Sequence, residues 1–545
     1  MNPLRPQFSR DDYISLDGIW NFTVMDAKGN TLSDAADGGG SIRVPYPPEA
    51  PLSGVGKHFP EGSKLWYSRK FTAPSLPEKG RLLLHVDGVD QKARIFLNGK
   101  DLGTVCTVLN GPASLDVTDL LQPENTLILC VTDDLRDLRF PYGKQTMERG
   151  GMWYTPVSGI WQSVWLEPVP ENYIRELKII PSLDSVHIRI DGPKEGVIRC
   201  GGTDYPFKNS RITLRPEAPR HWTPDDPYLY RFSVITAQDK VDSYFALRKV
   251  EVRGSRILLN GRPFFFHGLL DQGYWPGGLW TPPEEDSFEK DILAVKRLGF
   301  NTLRKHIKAE PERFYYDCDR LGMIVFQDMI NNGHYSFARD TVLPTLGFQK
   351  WPAALRRRNT PVRRAFLHAM RSTVRRLYNH PCVCYWTIFN EGWGQFRSSQ
   401  TYKTLRELDS TRVIDTTSGW FRDGDTDVES RHVYFRKFRL PKKAKKPVIL
   451  SEFGGYVFKI PEHSFDPDKT YGYRFYKSRE SWMAALEKLY QKQIIPAVRK
   501  GLCGAIYTQV SDVEDECNGL LTYDRALCKA DEARMQAIAK QLKGE

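Results

Sequence analysis

Two glutamates stand at the ends of apolar runs, each followed by glycine: Glu391 in WTIFNEGWG (386–394) and Glu452 in PVILSEFGG (447–455). A buried strand that stops on an acid either leaves it in solvent or aims it into a cleft. Two carboxylates across one cleft can divide a reaction between them. One, kept protonated, gives its proton to a leaving oxygen; the other, ionised, attacks the released carbon or activates water. Glycosidic cleavage needs that pair. Burial and a neighbouring like charge supply the raised pKa that the proton donor requires. Gly392 and Gly454-Gly455 are expected to leave room for a ligand to approach closely.

The elements that bring the two acids together are legible from about residue 251. A helix is expected over DSFEKDILAVKRLG, with Asp286 and Glu289 as a capping box, Phe288, Ile292, Val295 and Leu298 on one face, and Gly299 closing it. A second helix starts at Pro311 and ends at Gly322. Strands alternate with these helices at 263–268, 300–304, 323–328, 383–390, 411–418, 430–434, 447–452 and 504–509. Eight strands in this alternation predict a (β/α)8 TIM barrel over 251–545. An open doubly wound sheet is the competitor, but no G-x-G-x-x-G or P-loop follows the early strands. In a barrel all C-terminal strand ends open on one face. Glu391 ends the fourth strand and Glu452 the seventh, so both belong to one mouth.

Residues 1–170 read as a β jelly roll, with short strands at even spacing and a tight hairpin turn at Asn98-Gly99. Residues 171–250 read as an immunoglobulin-like β-sandwich.

Charge and cysteine usage narrow the classes further. The net charge is +12 over 545 residues. Its densest stretches, RRRNTPVRR (356–364) and RKFRLPKKAKKP (436–447), carry no nucleic-acid motif and read as solvated faces. The nine cysteines do not form a disulfide framework or a zinc spacing, so no metal or other cofactor is expected. No signal peptide and no membrane span are expected, and the default location is cytoplasmic.

YNHPCVCYWTIFNE (378–391) closely resembles the acid/base signature of family 2 glycoside hydrolases, and SEFGG (451–455) is similar to that family's nucleophile segment. FNTLRKH, CDRLGMIVFQD, SRKF, FLNGKDLG, GGMWYTPVSGIWQSVWLE and NGLLTYDR extend the resemblance over nearly the whole chain. It implies a jelly roll, an immunoglobulin-like domain and a catalytic barrel, acting on a glycoside or oligosaccharide with retention of configuration. Glu391 would be the general acid/base and Glu452 the nucleophile. Asn390 would donate to the sugar 2-hydroxyl, Arg304 would hold the nucleophile ionised, and Tyr434 would hydrogen-bond it. His306, Asp328, Trp420, His432 and Gln509 are further candidates for contact with the sugar. GLLDQGYWPGGLW (268–280) is a candidate pocket wall. Retention calls for carboxyls about 5–5.5 Å apart, inversion for about 6.5–9.5 Å.

The segments that select the sugar depart from familiar members. Gly151 stands where β-galactosidases carry an acid before Met-Trp, the strand-one loop is DQGYW, and strand two continues as KHIKAEP. The Asn-x-Lys of glucuronidases is missing from the acidic SDVEDECNGL, leaving Lys305 and Lys308 as substitutes. The expectation is a retaining exo-acting β-glycosidase, β-galactosidase-like by default, with glucuronidase- or arabinosidase-type specificity as the alternative. A homo-oligomer is compatible with it. The competing class is a non-catalytic carbohydrate-binding protein on the same scaffold.

Overall fold

The computed structural model describes residues 4–25, 39–345, 348, 360–442 and 444–544. Residues 356–359 of the first basic stretch and Lys443 of the second lie outside these. The described cations Arg436, Lys437, Arg439, Lys445 and Lys446 are exposed, as a solvated face requires.

Residues 14–169 form two main antiparallel sheets. One has the order Ile14–Ser15, Val164–Val169, Arg81–Val86, Ala113–Asp116; the other Gly40–Val44, Gly18–Met25, Lys64–Thr72, Glu124–Thr132, Lys92–Leu97, Lys100–Val105. Side chains alternate across each strand, so Leu82, Leu84 and Val86 of the first sheet meet the core shared with Ile95, Leu127, Leu129 and Val131 of the second. This is the jelly roll. Asn98 and Gly99 both take positive φ, 51° and 80°, as a two-residue hairpin turn demands. Residues 176–245 form seven antiparallel strands around Ile179, Ile188, Ile198, Phe232 and Val234, the immunoglobulin-like unit.

The barrel has eight parallel strands: β1 (Phe266–Asp271), β2 (Thr302–Lys305), β3 (Ile324–Asp328), β4 (Val383–Asn390), β5 (Val413–Ser418), β6 (Glu429–Val433), β7 (Val448–Gly454) and β8 (Leu502–Thr508). They are hydrogen-bonded in the order β5-β4-β3-β2-β1-β8-β7-β6. The ring closes between β5 and the segment leading into β6, where Asp427 N–H donates to Ile414 O at 3.0 Å and Ser430 Oγ to Asp415 Oδ1 at 3.0 Å. All eight residues of β4 are buried, the continuous apolar run of a strand covered on both faces.

The helix between β1 and β2 runs Ser287–Arg297 and buries Phe288, Ile292 and Val295; Leu298 just beyond is buried too. The expected capping box does not form. Asp286 pairs with Lys290 one turn on, at 2.9 Å, and Glu289 with Arg320, at 2.6 Å, so both side chains serve ion pairs rather than backbone N–H groups. The next helix, Glu312–Leu321, ends at Gly322 in the left-handed region, φ 73°.

The Asn-His-Pro triplet has a structural task. Asn379 donates to Leu177 O and accepts from Ile179 N–H, stapling the immunoglobulin-like sheet to the start of β4. His380 meets Asp319 at 2.7 Å; the same carboxylate accepts from Cys382 N–H and Tyr244 Oη, each at 2.7 Å. Asp319 and His380 are fully buried. Asp319→Asn turns one acceptor into a donor against donors, so we expect a loss of about 3 kcal/mol, read as a lower urea midpoint at unchanged slope.

Candidate active site

Glu391 is the first residue beyond β4. Its N–H donates to Ser418 O on β5 at 2.9 Å, and its φ is 52°, a left-handed turn uncommon for a residue with a side chain. This turn takes the side chain off the strand line and over the mouth. Glu452 lies within β7 and points inward from it, 5% exposed. One oxygen from each carboxylate and a ring nitrogen of His432 all lie within 4.8 Å of one another. The two carboxylates thus face each other across the mouth with their nearest oxygens at the short end of what a pair of acids around one sugar requires.

Arg304, on β2 and fully buried, organises the floor. Its Nε donates to Asp328 Oδ1 at 3.0 Å and its Nη2 lies 3.0 Å from Asp328 Oδ2. Nη1 donates to Ser451 O and to Glu452 Oε1, both at 3.0 Å, and Nη2 donates to Asn390 Oδ1 at 2.9 Å. Holding Asn390 by its oxygen leaves the amide Nδ2 with no hydrogen bond among the described residues. Tyr434 Oη, just past β6, donates to Glu452 Oε2 at 2.5 Å and meets Thr508 Oγ1 at 3.0 Å. Burial opposes ionisation of Glu452, but the charges of His432, Arg304 and His306 and the Tyr434 hydroxyl outweigh it, holding the carboxyl at about 2. Asp328 is likewise held low: burial is outweighed by Arg304 and His306. Burial pulls His306 down to about 4 although its Nδ1 meets Asp328 at 2.9 Å, so this ring is neutral at pH 7.

Of the ten residues expected from the sequence, Glu391, Glu452, Asn390, Arg304, Asp328, His306, His432 and Tyr434 form one connected network. Trp420 stands edge-on to His432, ring centres 5.3 Å apart, and donates its indole N–H to Asp340 O, so it backs the histidine. Gln509 follows β8 and is buried, yet neither atom of its amide has a hydrogen-bond partner among the described residues; it does not join the network. The room expected beside the glycines is occupied by protein. A Cβ on Gly392, Gly454 or Gly455 would lie 2.2 Å from Phe421, 2.2 Å from Tyr507 or 2.3 Å from Tyr473. Lys305 and Lys308 are both committed to ion pairs. Lys305 pairs with Asp271 and Glu310, and Lys308 with Glu310. The aromatic segment after β1 packs between domains, Tyr274 and Trp280 against Tyr154 and Trp161.

Sequence reasoning missed several contributors. Ser418 and Ser451 link His432 to β7. Tyr473, from the long loop after β7, stacks on Tyr434 at 3.8 Å. The jelly roll supplies a wall: Trp153 meets Trp393 at 5.3 Å and Tyr335 at 4.8 Å, and Tyr142 meets Trp393 at 5.3 Å. Trp393 is two residues after Glu391, so this wall braces the turn that carries the acid. Buried Glu516, after β8, accepts from jelly-roll Tyr154 and from Asn518. Ser451, Trp393, Trp153, Tyr154 and Glu516 sat in motifs singled out from the sequence, but without a role of their own; Ser418, Tyr473, Tyr335 and Tyr142 did not. A cavity of about 820 Å³ lies elsewhere, lined by Arg5, His85, Glu167 and Arg375, and includes none of the ten residues; the carboxylate pair, not cavity size, marks the barrel mouth as the site.

The family description "Glycosyl hydrolases family 2, TIM barrel domain" matches residues 250–541, and "Glycosyl hydrolase 2 galactose-binding domain-like" matches residues 58–145. The chain belongs to glycoside hydrolase family 2. Among curated relatives, the β-galactosidase of Aeromonas hydrophila subsp. hydrophila is 27% identical over 497 residues, covering 77% of this chain and 45% of the relative. That of Thermoanaerobacter pseudethanolicus is 24% identical, covering 74% and 55%. The chain thus spans about half the length of the curated relatives it matches. Solved structures cover it end to end. A β-glucuronidase from an uncultured Clostridium sp. superposes with TM-score 0.76 at 20% identity, over 98% of this chain and 99% of that one. A β-galacturonidase from Eisenbergiella tayi, bound to galacturonate, superposes with TM-score 0.70 at 18% identity, over 100% and 99%. At these identities the likeness is one of fold.

Tyr434→Phe keeps the ring stack on Tyr473 and removes one hydrogen bond from Glu452. We expect kcat to fall about 10- to 100-fold with little change in stability, measured on whichever glycoside the wild type cleaves.

Proposed function

We propose that the chain is a retaining, exo-acting β-glycosidase working by double displacement. The single observation that carries this reading is the close Glu391–Glu452 pair with Arg304 and Tyr434 both bound to Glu452. Glu452, held ionised, attacks the anomeric carbon while Glu391 protonates the departing oxygen; Glu391 then takes a proton from the water that releases the sugar. Asn390, fixed by Arg304 through its oxygen, presents its amide N–H to the 2-hydroxyl. The jelly-roll wall, with Tyr335 after β3 and Tyr473 after β7, narrows the mouth to one sugar at a chain end, with the units divided near residues 170 and 250. No helix of the described residues is long and apolar enough to cross a membrane. All nine cysteines are unpaired, which supports a cytoplasmic setting.

The glycone is β-galactose-like by default. Acidic sugars are the second reading, favoured by Lys144. This jelly-roll cation sits 5.4 Å over the Trp153 ring, has no carboxylate partner among the described residues, and its charge reaches His306 and Glu516. A panel of nitrophenyl β-galactoside, β-glucuronide, β-galacturonide, β-glucoside, β-mannoside, β-fucoside and arabinosides tests both readings. Turnover of one sugar, lost in Glu391→Gln and Glu452→Gln, supports the proposal. Silence across the panel from folded protein favours a carbohydrate binder.

A further inference from the structure

His432 sits between the two carboxylates, and the glycosidase reading gives it no task. Its Nδ1 lies 2.7 Å from Glu391 Oε1 and 3.4 Å from Glu452 Oε2. Its Nε2 lies 3.1 Å from Ser418 Oγ and 3.4 Å from Arg304 Nη1. The ring is buried. The protons around it can be counted.

Ser451 Oγ donates to Arg431 O at 3.3 Å, and Ser418 Oγ donates to Ser451 Oγ at 3.0 Å. Each hydroxyl has one proton, so Ser418 meets His432 with a lone pair and accepts from Nε2–H. Arg304 Nη1 has two protons, spent on Ser451 O and Glu452 Oε1. None remains for Nε2, so Nε2 carries its own hydrogen. Nδ1 is then the only ring atom free to exchange a proton, and it faces Glu391. A nitrogen lone pair and a carboxylate oxygen repel each other at 2.7 Å, so one proton lies between them. The 2.7 Å contact is shorter than the about 3.3 Å between two ligands of a tetrahedral zinc, and is the length of a hydrogen bond.

We propose that His432 is a positioning residue that shares one proton with Glu391, so that the two act as a single acid. The proposal rests on the glycosidase reading above. In the resting site the pair holds one proton and Glu452 one negative charge. As the bond from the anomeric carbon to the leaving oxygen breaks and the bond to Glu452 forms, the shared proton passes through Glu391 to the leaving oxygen. Glu452 becomes a neutral ester, and the negative charge moves to Glu391. The Nδ1 lone pair now opposes that charge, which strengthens Glu391 as a base. Water then attacks the anomeric carbon, its proton returns to the pair, and Glu452 leaves as a carboxylate. The three groups carry a net charge of −1 in both states. The groups facing His432 are Glu391 after β4, Arg304 on β2, Asp415 on β5 and Glu452 on β7, with Tyr434 beside it on its own segment and Asp328 and His306 behind Arg304.

His432→Gln keeps a hydrogen-bonding side chain that cannot hold the proton. The test compares kcat/KM against pH for two glycosides of the sugar the wild type cleaves, one with a dinitrophenyl leaving group and one with an alkyl alcohol. General-acid help is worth about 10²–10⁴-fold and matters only for the poor leaving group. We therefore expect the variant to lose at least about 10-fold on the alkyl glycoside and under about 3-fold on the dinitrophenyl one, with the basic limb of the profile moved to lower pH. Equal losses on both substrates with an unmoved profile would overturn the proposal. A second arm needs no substrate. Carbon-13 NMR of the labelled histidines, with His432→Gln assigning the resonance, follows its titration in wild type and in Glu391→Gln. A displaced titration in Glu391→Gln supports the shared proton; an identical one overturns it. Glu391→Ala with added azide tests the parent reading separately. If azide restores turnover while His432→Gln behaves alike on both substrates, the glycosidase stands and the shared proton falls.

Discussion

Glu452→Gln is expected to lower kcat by more than about 10⁴-fold on every glycoside the wild type cleaves, with a lower melting temperature at pH 7. The amide keeps the shape of the carboxylate, and its oxygen can still accept from Arg304 or Tyr434. It cannot attack the anomeric carbon, so the reaction loses the covalent route, and the barrier rises by more than about 5 kcal/mol. The stability arm follows from the same charge: Glu452 is a buried carboxylate beside a buried guanidinium, so the neutral amide forfeits the stability that the ionised group supplies, while Arg304 keeps its pair with Asp328. Steady-state kinetics with a thermal melt at the same pH read both arms. A residual rate within about 100-fold of wild type would remove Glu452 from the nucleophile's place.

Arg304→Lys has the second largest expected effect, and it acts on both stability and chemistry. The guanidinium serves Asp328, Glu452, Asn390 and Ser451 O together. A lysine has three donors in a different geometry and reaches at most part of this set. Breaking a buried pair costs about 3–5 kcal/mol, so the urea midpoint should fall clearly. The sign of the pH effect follows from Glu452. Its carboxyl lies at about 2 in the folded chain against 4.5 ordinarily. The unfolded chain therefore binds that proton more tightly, and the ionised group adds stability above about pH 4.5 that is lost as the pH falls towards 2. With Arg304 replaced, Glu452 moves up towards its ordinary value. That contribution shrinks, and the acid limb of kcat/KM shifts to higher pH. An unshifted acid limb would mean that Arg304 positions Asn390 without holding the nucleophile ionised.

The barrel was legible where apolar runs alternate with helices that carry their own stop signals, as Gly299 and Gly322 show, although among the described residues no helix separates β5 from β6 or β6 from β7. Glu391 and Glu452 stood out because an acid ending such a run is costly unless the mouth of a barrel receives it. What escaped was set by contacts without a local trace. Ser418 and Ser451 look like ordinary strand-end hydroxyls until β5 and β7 face each other across the barrel. Tyr473 belongs to a loop whose path no period describes, yet it stacks on Tyr434. Glu516 and Tyr154 meet across a domain boundary, with 361 residues between them. The capping box failed for a related reason: Asp286 and Glu289 had cations within reach, Lys290 on the next turn and Arg320 on the neighbouring helix. The glycines after the two acids were expected to leave room for a ligand, and the structure fills that space with protein instead. Phe421, Tyr507 and Tyr473 fill that space, because close packing behind the turn that carries Glu391 fixes it as firmly as a ligand would.

The most direct test of the central claim is the mass of the protein after incubation with the 2-deoxy-2-fluoro dinitrophenyl analogue of the sugar it cleaves. Fluorine at position 2 slows both half-reactions, and the good leaving group restores the first, so a covalent intermediate accumulates. The account predicts a mass gain of one fluoro-sugar, located after digestion on the peptide that holds Glu452. An adduct on any other residue, or a product of inverted configuration with no adduct, would contradict it.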